Sequence, residues 1–190
     1  MKGMNIMIVG VGGQGTLLAS RILGNTVLSE GYDVKVSEVH GMSQRGGSVV
    51  TYVKFGDAIY SPIIDKGEAD IILAFEQLEA YRALPYLKEG GKIIVADQKI
   101  NPMPVITGAS EYPENIIDKL KAVSDVTALD ALSLAKAAGS AKAVNVVLIG
   151  LMAKNTAIPY EKWVDCVKKT VPEKLLDVNL RAFDLGYNFI

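Results

Sequence analysis

The chain has 190 residues, of which 49% are hydrophobic, and this is enough apolar material to close one α/β core. Its 20 basic and 21 acidic residues leave a formal net charge of -1, so overall charge gives no indication of binding to nucleic acid or to an anionic membrane. The one cysteine, Cys166, excludes an internal disulfide and an iron–sulfur cluster ligated by this chain alone, and it suits a reducing compartment such as the cytoplasm.

The first forty residues predict a strand, a helix and a second strand. A continuous apolar run from Met4 to Gly10, ended by glycines, is typical of a strand that is buried on both faces of a parallel sheet. Apolar residues at helical spacing from Gln14 to Glu30 predict a helix. Residues 32–39, YDVKVSEV, predict the second strand. A doubly wound fold would continue into a crossover helix, but HGMSQRGG has neither helical periodicity nor helix formers.

The sequence pattern that follows predicts an inserted β-hairpin in place of that helix. Residues 48–55, SVVTYVKF, alternate so that Val49, Thr51, Val53 and Phe55 share one face. The following Gly-Asp pair is a turn pattern, and we expect it to lead into a second hairpin strand at 58–64.

An α/β alternation resumes after the hairpin and gives way to a helical C-terminal half. The pattern predicts a strand at 69–75, a helix at 76–89, a strand at 91–97 and an extended edge segment at 102–107. From Pro113 onward the chain is predicted to be mostly helical, with helices at 113–123, 128–139, 143–155, 159–170 and 172–186. The apolar helix at 143–155 is too short to span a bilayer, so we expect it to be buried and predict no membrane segment. We therefore predict one domain, residues 1–190, with a Rossmann-like, mostly parallel sheet.

The loop after the first strand carries a possible ligand site. Gly10, Gly12 and Gly15 match G-x-G-x-x-G between a strand and a helix, where glycines let a ligand approach the backbone. The helix N-terminus offers N–H donors and a partial positive charge to a phosphate. The alternative is a tight turn without a ligand. The candidate cofactor-binding residues are Gly10, Gly12, Gly13, Gln14, Gly15 and Thr16.

A dinucleotide site would also need an acidic residue near the end of the second strand, to bind the ribose hydroxyls. Asp33 begins that strand and Glu38 lies near its end, so Glu38 has the required position. The histidine, glycine and arginine that follow do not fit an adenosine site, and the missing helix removes one of its walls. An NAD(P)-dependent oxidoreductase therefore remains as an alternative, whereas a P-loop is excluded because no Gly-Lys-Ser/Thr follows the glycines.

The polar segment after the second strand predicts a substrate-binding or partner-binding loop. It should lie at the carboxyl edge of the sheet, where open α/β folds bind ligands. Arg45 beside two glycines offers a forked cation and exposed N–H groups, which suit a carboxylate or a phosphate. His40 is a candidate for proton transfer, although a hydrogen-bonded loop histidine is the favoured interpretation. The residues of this predicted loop are Glu38, His40, Ser43, Gln44, Arg45, Gly46 and Gly47.

Four other polar side chains invite a functional interpretation. Glu76 and Gln77 follow a predicted strand and are expected beside the same crevice, although an acid at a helix start ordinarily interacts with the helix dipole. Asn145 in the apolar helix is expected to be a structural hydrogen-bonding residue, and Cys166 in an amphipathic helix is expected to pack. We predict no metal site.

Several of these segments together resemble the gamma-type domain of 2-oxoacid:ferredoxin oxidoreductases, nearly from end to end. The resemblance is carried by IVGVGGQGTLLASRILG, KVSEVHGMSQRGGSVVTYVKFG, YSPII, NVVLIG and PEKLLDVNLRAFDLGY. The segment SEVHGMSQRGGSV is far more specific than the glycine pattern. Within this family it is most similar to the beta subunit of indolepyruvate:ferredoxin oxidoreductases.

The resemblance implies a subunit that is inactive alone and works in a heteromeric complex. Such complexes oxidatively decarboxylate a 2-oxoacid, here an arylpyruvate such as indolepyruvate, to acyl-CoA, CO2 and reduced ferredoxin. Thiamine diphosphate and the iron–sulfur clusters are expected on a larger alpha subunit, through which ferredoxin is reached. Coenzyme A is a possible ligand of the glycine loop, carried over to Gly12, Gly13, Gln14 and Gly15. The isolated chain is a candidate homo-oligomer, and a purely structural assembly subunit is a further alternative.

Overall fold

The computed structural model of the protein describes residues 3–40 and 47–189, and of His40 it describes the backbone alone. This part of the chain contains one six-stranded sheet in the order β2-β3-β1-β4-β5-β6. Strand β3 is antiparallel to both of its neighbours, and the other adjacent strands are parallel. The strands are Met4–Val11 (β1), Asp33–His40 (β2), Ser48–Gly56 (β3), Ala69–Ala74 (β4), Leu87–Ala96 (β5) and Asp125–Leu129 (β6).

The described chain also contains eight α-helices, five of them after residue 115. They are Thr16–Ser29 (α1), Gln77–Ala83 (α2), Met103–Ile106 (α3), Ile116–Lys121 (α4), Ala131–Ala138 (α5), Val144–Ala153 (α6), Tyr160–Thr170 (α7) and Leu176–Tyr187 (α8). The predictions of a mostly parallel α/β fold and of a helical C-terminal half are confirmed. In the described residues, no helix combines the length and apolar character that a bilayer crossing requires.

The sheet has a hydrophobic core on each face because side chains of a strand alternate between its two sides. Ile6 and Ile8 of β1 pack with residues of α1, α5, α6, α7 and α8 in the larger core. Met7 and Val9 point the opposite way and pack with residues of α2 and α4 in the smaller core. A strand with apolar side chains on both faces is stable only when both faces are covered, which explains the continuous apolar run in the sequence.

The β-hairpin is formed by β2 and β3, and its predicted position was wrong. Residues 58–64 contain no strand. They cannot pair with β3, because β1 and β2 already occupy both edges of that strand. The face predicted for β3 is correct: Val49, Thr51, Val53 and Phe55 are all buried. A hairpin returns antiparallel, so the chain needs no crossover helix after β2.

Three other predictions from the sequence also need correction. The segment predicted as extended at 102–107 contains the short helix α3, because Pro102 and Pro104 lie at a helix start, where proline is tolerated. The helix predicted to run to residue 89 ends at Ala83, and Pro85 lies in a 3₁₀ turn that leads into β5. Strand β6 was missed, because its five residues, DVTAL, are mostly half-buried and show no clear period.

Helices α6 and α8 approach each other closely at two glycines. A Cβ atom on Gly186 would lie 1.9 Å from the carbonyl oxygen of Val147, and one on Gly150 would lie 2.2 Å from the carbonyl oxygen of Phe183. Backbone atoms cannot move aside as a flexible side chain can, so the absence of a side chain at both positions sets the distance between the helices.

We expect Gly186→Ala to lower the free energy of unfolding by about 1–3 kcal/mol, because the added methyl group forces these helices apart. Urea denaturation measures the change. Gly24→Ala in α1 is the matched control, since a Cβ there would meet only the Val36 side chain, at 3.7 Å. The control should be neutral or more stable by up to about 1 kcal/mol. Equal stability of the two variants would contradict the close-approach explanation.

Candidate functional site

The glycine loop lies at the carboxyl edge of the sheet, between β1 and α1. Gly13 has φ of 98° and Gly15 has φ of 82°, in the left-handed region that favours glycine. Gly15 is the N-cap of α1, and no side chain caps this helix end. The first turn of α1 therefore keeps backbone N–H groups and the positive end of the helix dipole without a side-chain partner.

Gln14 connects this loop to the ends of two other strands. Its Oε1 accepts a hydrogen bond of 2.7 Å from the backbone N–H of Val11. Its Nε2 donates to the carbonyl oxygen of Phe75 at 2.9 Å, after β4, and to Oε1 of Gln98 at 3.3 Å, after β5. The side chain of Gln14 therefore holds the edge of the sheet together, as well as lining the site.

Two loop glycines are required by packing within the protein. A Cβ on Gly10 would lie 2.8 Å from Oε1 of Gln14 and 3.0 Å from Cβ of Phe75. A Cβ on Gly15 would lie 2.6 Å from Nδ2 of Asn145, which donates a hydrogen bond to the Gly15 carbonyl oxygen. Asn145 is buried in α6, so the expectation that it is a structural hydrogen-bonding residue is confirmed.

Gly13 differs from these glycines because it opens onto a cavity. A Cβ built on Gly13 meets no atom within 4 Å. The cavity has a volume of about 350 Å³. Lys142 provides a cation, and Leu132, Ala141 and Val144 provide apolar walls. The other lining residues are Gly13, Gln14, Gly15 and Gln98.

Sequence reasoning missed Gln98, Leu132 and Lys142. Leu132 follows β6, which was not recognised, and Lys142 lies in the turn between α5 and α6, far from the glycine loop in sequence. Gln98 follows the predicted strand at 91–97, so the rule that ligands bind beyond the carboxyl ends of strands would have identified it.

The described ends of the polar loop are attached to the same edge of the sheet. The N–H of Gly12 donates a hydrogen bond of 2.9 Å to the carbonyl oxygen of Gly47, which joins the two loops directly. Oγ of Ser48 donates to the carboxylate of Glu79 at 2.5 Å. Glu38 is half-buried and lies opposite Thr51 in the β2–β3 pairing. The predicted residues Ser43, Gln44, Arg45 and Gly46, and the side chain of His40, lie outside the described residues.

Two buried carboxylates at the start of α2 accept hydrogen bonds from segments on both sides of this edge of the sheet. Glu76 accepts hydrogen bonds from the N–H groups of Glu79 at 3.0 Å and Ile100 at 3.1 Å, and from the hydroxyl of Tyr112. Glu79 accepts from Arg82 at 2.6 Å as well as from Ser48. Because burial and the hydrogen bond to Glu76 disfavour the phenolate, the pKa of Tyr112 is raised well above its ordinary value.

Gln77 and Cys166 also have structural roles. Nε2 of Gln77 donates to Asp97 at 2.5 Å, and its backbone N–H donates to the carbonyl oxygen of Gln98 at 3.0 Å. Cys166 is buried, and its Sγ donates to the carbonyl oxygen of Ile22 at 3.3 Å, which agrees with the predicted packing role. Within residues 3–40 and 47–189, no group of three or more His, Cys, Asp or Glu side chains is arranged to bind a metal ion.

The similarity of this chain to known proteins places it in a class of redox-enzyme subunits. Residues 5–189 match the family described as pyruvate ferredoxin/flavodoxin oxidoreductase, and the chain belongs to that family. Indolepyruvate oxidoreductase subunit IorB of Thermococcus kodakarensis is 44% identical over 194 residues, covering 98% of this chain and 95% of the relative. The resemblance stated from sequence motifs is therefore confirmed.

Solved structures agree with this assignment. The gamma subunit of a keto/oxoacid ferredoxin oxidoreductase from Geobacter sulfurreducens superposes with a TM-score of 0.72 at 26% identity, covering 97% of this chain and 96% of that one. The 2-oxoglutarate:ferredoxin oxidoreductase of Magnetococcus marinus gives a TM-score of 0.76 at 19% identity, covering 98% of this chain and 31% of that one. At that identity the similarity shows the fold alone. The fold thus occurs both as a separate subunit and within a longer chain.

Proposed function

We propose that this chain is the subunit without iron–sulfur clusters of an arylpyruvate:ferredoxin oxidoreductase, with indolepyruvate as the leading substrate. The complex would convert the 2-oxoacid, coenzyme A and oxidised ferredoxin to acyl-CoA, CO2 and reduced ferredoxin. The observation that carries the proposal is the similarity to IorB, which extends over 98% of this chain and 95% of the relative.

The division of labour within the complex follows from the residues that this chain provides. Iron–sulfur clusters are ordinarily bound by four cysteine thiolates, and this chain has one cysteine. We therefore assign the clusters to a larger alpha subunit, which would also contact ferredoxin, and the family resemblance implies that thiamine diphosphate is bound there too. The cytoplasm is the expected compartment of such a complex. Self-association of the isolated chain remains a prediction.

We propose coenzyme A as the ligand of the cavity beside Gly13, and the residues present suit it. The uncapped N-terminus of α1 and the ammonium group of Lys142 suit the phosphate groups of this cofactor. Leu132 and Val144 offer apolar surface to its pantetheine arm. When bound, coenzyme A supplies the thiol that accepts the acyl group. This chain would bind and orient the cofactor.

The polar loop is proposed as the surface that faces the larger subunit and completes the shared active site. The C-terminal end of the loop is attached beside the glycine loop through the Gly12–Gly47 and Ser48–Glu79 hydrogen bonds, and its N-terminal end belongs to β2, which pairs with β3. The proposed loop residues are Glu38, His40, Ser43, Gln44, Arg45, Gly46 and Gly47, with Arg45 as a forked donor to a carboxylate or phosphate.

The sheet order does not favour an NAD(P)-dependent oxidoreductase. In a dinucleotide-binding fold, the strand that carries the ribose-binding acid lies next to β1. Here β3 separates β2 from β1, so Glu38 lies about one strand spacing, roughly 4.8 Å, further from the glycine loop than such a site requires.

A purely structural subunit would not need an open cavity beside Gly13.

The first test is reconstitution. We expect the purified chain alone to be colourless and without activity on arylpyruvates, whereas the complex with the larger subunit reduces ferredoxin in a coenzyme A-dependent reaction. Ferredoxin reduction is measured with indolepyruvate, phenylpyruvate, pyruvate and 2-oxoglutarate, and kcat/KM should be highest for an arylpyruvate. Turnover by rigorously partner-free protein, or a preference for pyruvate, would show that the assignment is wrong.

The second test concerns the glycine loop. Gly13→Ala places a methyl group where the ligand should approach, and Gly31→Ala at the other end of α1 is its matched control. Both glycines have positive φ, 98° and 85°, with no atom within 4 Å of a Cβ. Each variant should therefore lose a similar stability, about 1–2 kcal/mol. Only Gly13→Ala should raise the KM for coenzyme A, by about tenfold, equivalent to roughly 1.4 kcal/mol. Equal KM values for coenzyme A in the two variants would show that the ligand does not bind at this loop.

A further inference from the structure

The orientation of the Gln14 amide is determined by a backbone group. The N–H of Val11 can only donate, and it lies 2.7 Å from Oε1 of Gln14. The amide group of Gln14 therefore has its oxygen toward Val11 and its nitrogen toward the other side. That nitrogen donates to the carbonyl oxygen of Phe75, which can only accept. Because one backbone group is a donor and the other is an acceptor, the Gln14 amide can have only one orientation.

This orientation determines that of Gln98 in turn. Nε2 of Gln14 lies 3.3 Å from Gln98, so the atom that Gln98 presents to it is the acceptor Oε1. Nε2 of Gln98 is then directed away from Gln14, and within the described part of the chain it makes no hydrogen bond. The backbone of Gln98 is held independently, because its carbonyl oxygen accepts from the N–H of Gln77 at 3.0 Å and its N–H donates to Ala96 at 2.7 Å.

Gln98 lines the cavity that Gly13 opens onto and that Lys142 also lines. Its side chain is half-buried, and its amide nitrogen has no hydrogen-bond partner among the described residues, so this donor is available to a ligand that enters the cavity. Lys142 provides a second donor group to the same space.

We propose that Nε2 of Gln98 is a ligand-binding donor, and that the cavity takes a ligand with an oxygen acceptor, a phosphate or an amide carbonyl. The inference rests on the proposed function, since coenzyme A carries both kinds of acceptor. It adds a binding residue that lies outside the glycine motif and the polar loop. It also gives Gln14 a second role, as the residue that orients the Gln98 amide toward the ligand.

Gln98→Glu tests this assignment in the assembled complex. A carboxylate still accepts the hydrogen bond from Gln14, so the network that joins the strand ends is kept. The atom directed toward the ligand, however, changes from a donor to a charged acceptor. We expect the Kd and the KM for coenzyme A to rise by at least about tenfold, with kcat and the KM for the oxoacid within about twofold of the parent.

Asn101→Asp is the matched control, because it makes the same amide-to-carboxylate change three residues further on, at an exposed position that does not line the cavity. It should leave both constants for coenzyme A unchanged. Gln98→Met removes the donor, and with it the acceptor of the Gln14 hydrogen bond, without adding charge. It should raise the Kd by about three- to tenfold, so the proposal can still be tested if Gln98→Glu fails to assemble.

Calorimetric titration of the complexes with coenzyme A separates two kinds of failure. If the parent complex does not bind coenzyme A, the proposed ligand and this inference are both wrong. If the parent binds and both Gln98 variants bind within about twofold of it, coenzyme A remains the ligand and the donor role of Gln98 is wrong. An equal loss of affinity in Asn101→Asp would show that added charge alone explains the effect.

Discussion

The hydrogen bonds of the Gln14 side chain are the interaction on which the candidate site depends. One amide joins β1 to the residues that follow β4 and β5, through Val11, Phe75 and Gln98. Without it, a backbone donor and a backbone acceptor at this half-buried edge would lose their protein partner, at a cost of about 1–3 kcal/mol each. Gln14 also lines the cavity beside Gly13, so the same side chain contributes to the stability of this edge and to the wall of the candidate site.

The antiparallel strand β3 gives this Rossmann-like chain a sheet order that differs from that of a dinucleotide-binding fold. It replaces a crossover helix, moves β2 away from β1, and brings Gly47 and Ser48 to the edge where the glycine loop ends. Buried Glu79 then attaches this strand to α2, whose neighbouring Glu76 attaches the segment around Ile100 and Tyr112. The described ends of the polar loop therefore lie in β2 and at the start of β3, beside the glycine loop.

Local patterns in the sequence were sufficient to predict much of this structure. A continuous apolar run identified β1, period-2 alternation identified β3, helical apolar spacing identified α1, and the glycine motif identified the loop beside the cavity. The patterns did not identify β6, whose short sequence carries little periodicity, or the pairing of β2 with β3, which depends on tertiary contacts. Lys142 and Leu132 reach the cavity only through the packing of the C-terminal half, so no local motif marks them.

The central claim is that the open turn at Gly13 binds coenzyme A at the carboxyl edge of the sheet. Hydrogen–deuterium exchange of the assembled complex, with and without coenzyme A, tests it most directly because it reports on individual backbone segments. Residues 12–18 include the turn at Gly13 and the uncapped start of α1, and we expect coenzyme A to slow the exchange of this segment together with that of the segment containing Gln98. If coenzyme A slows exchange in the larger subunit alone and leaves residues 12–18 unchanged, the claim is contradicted.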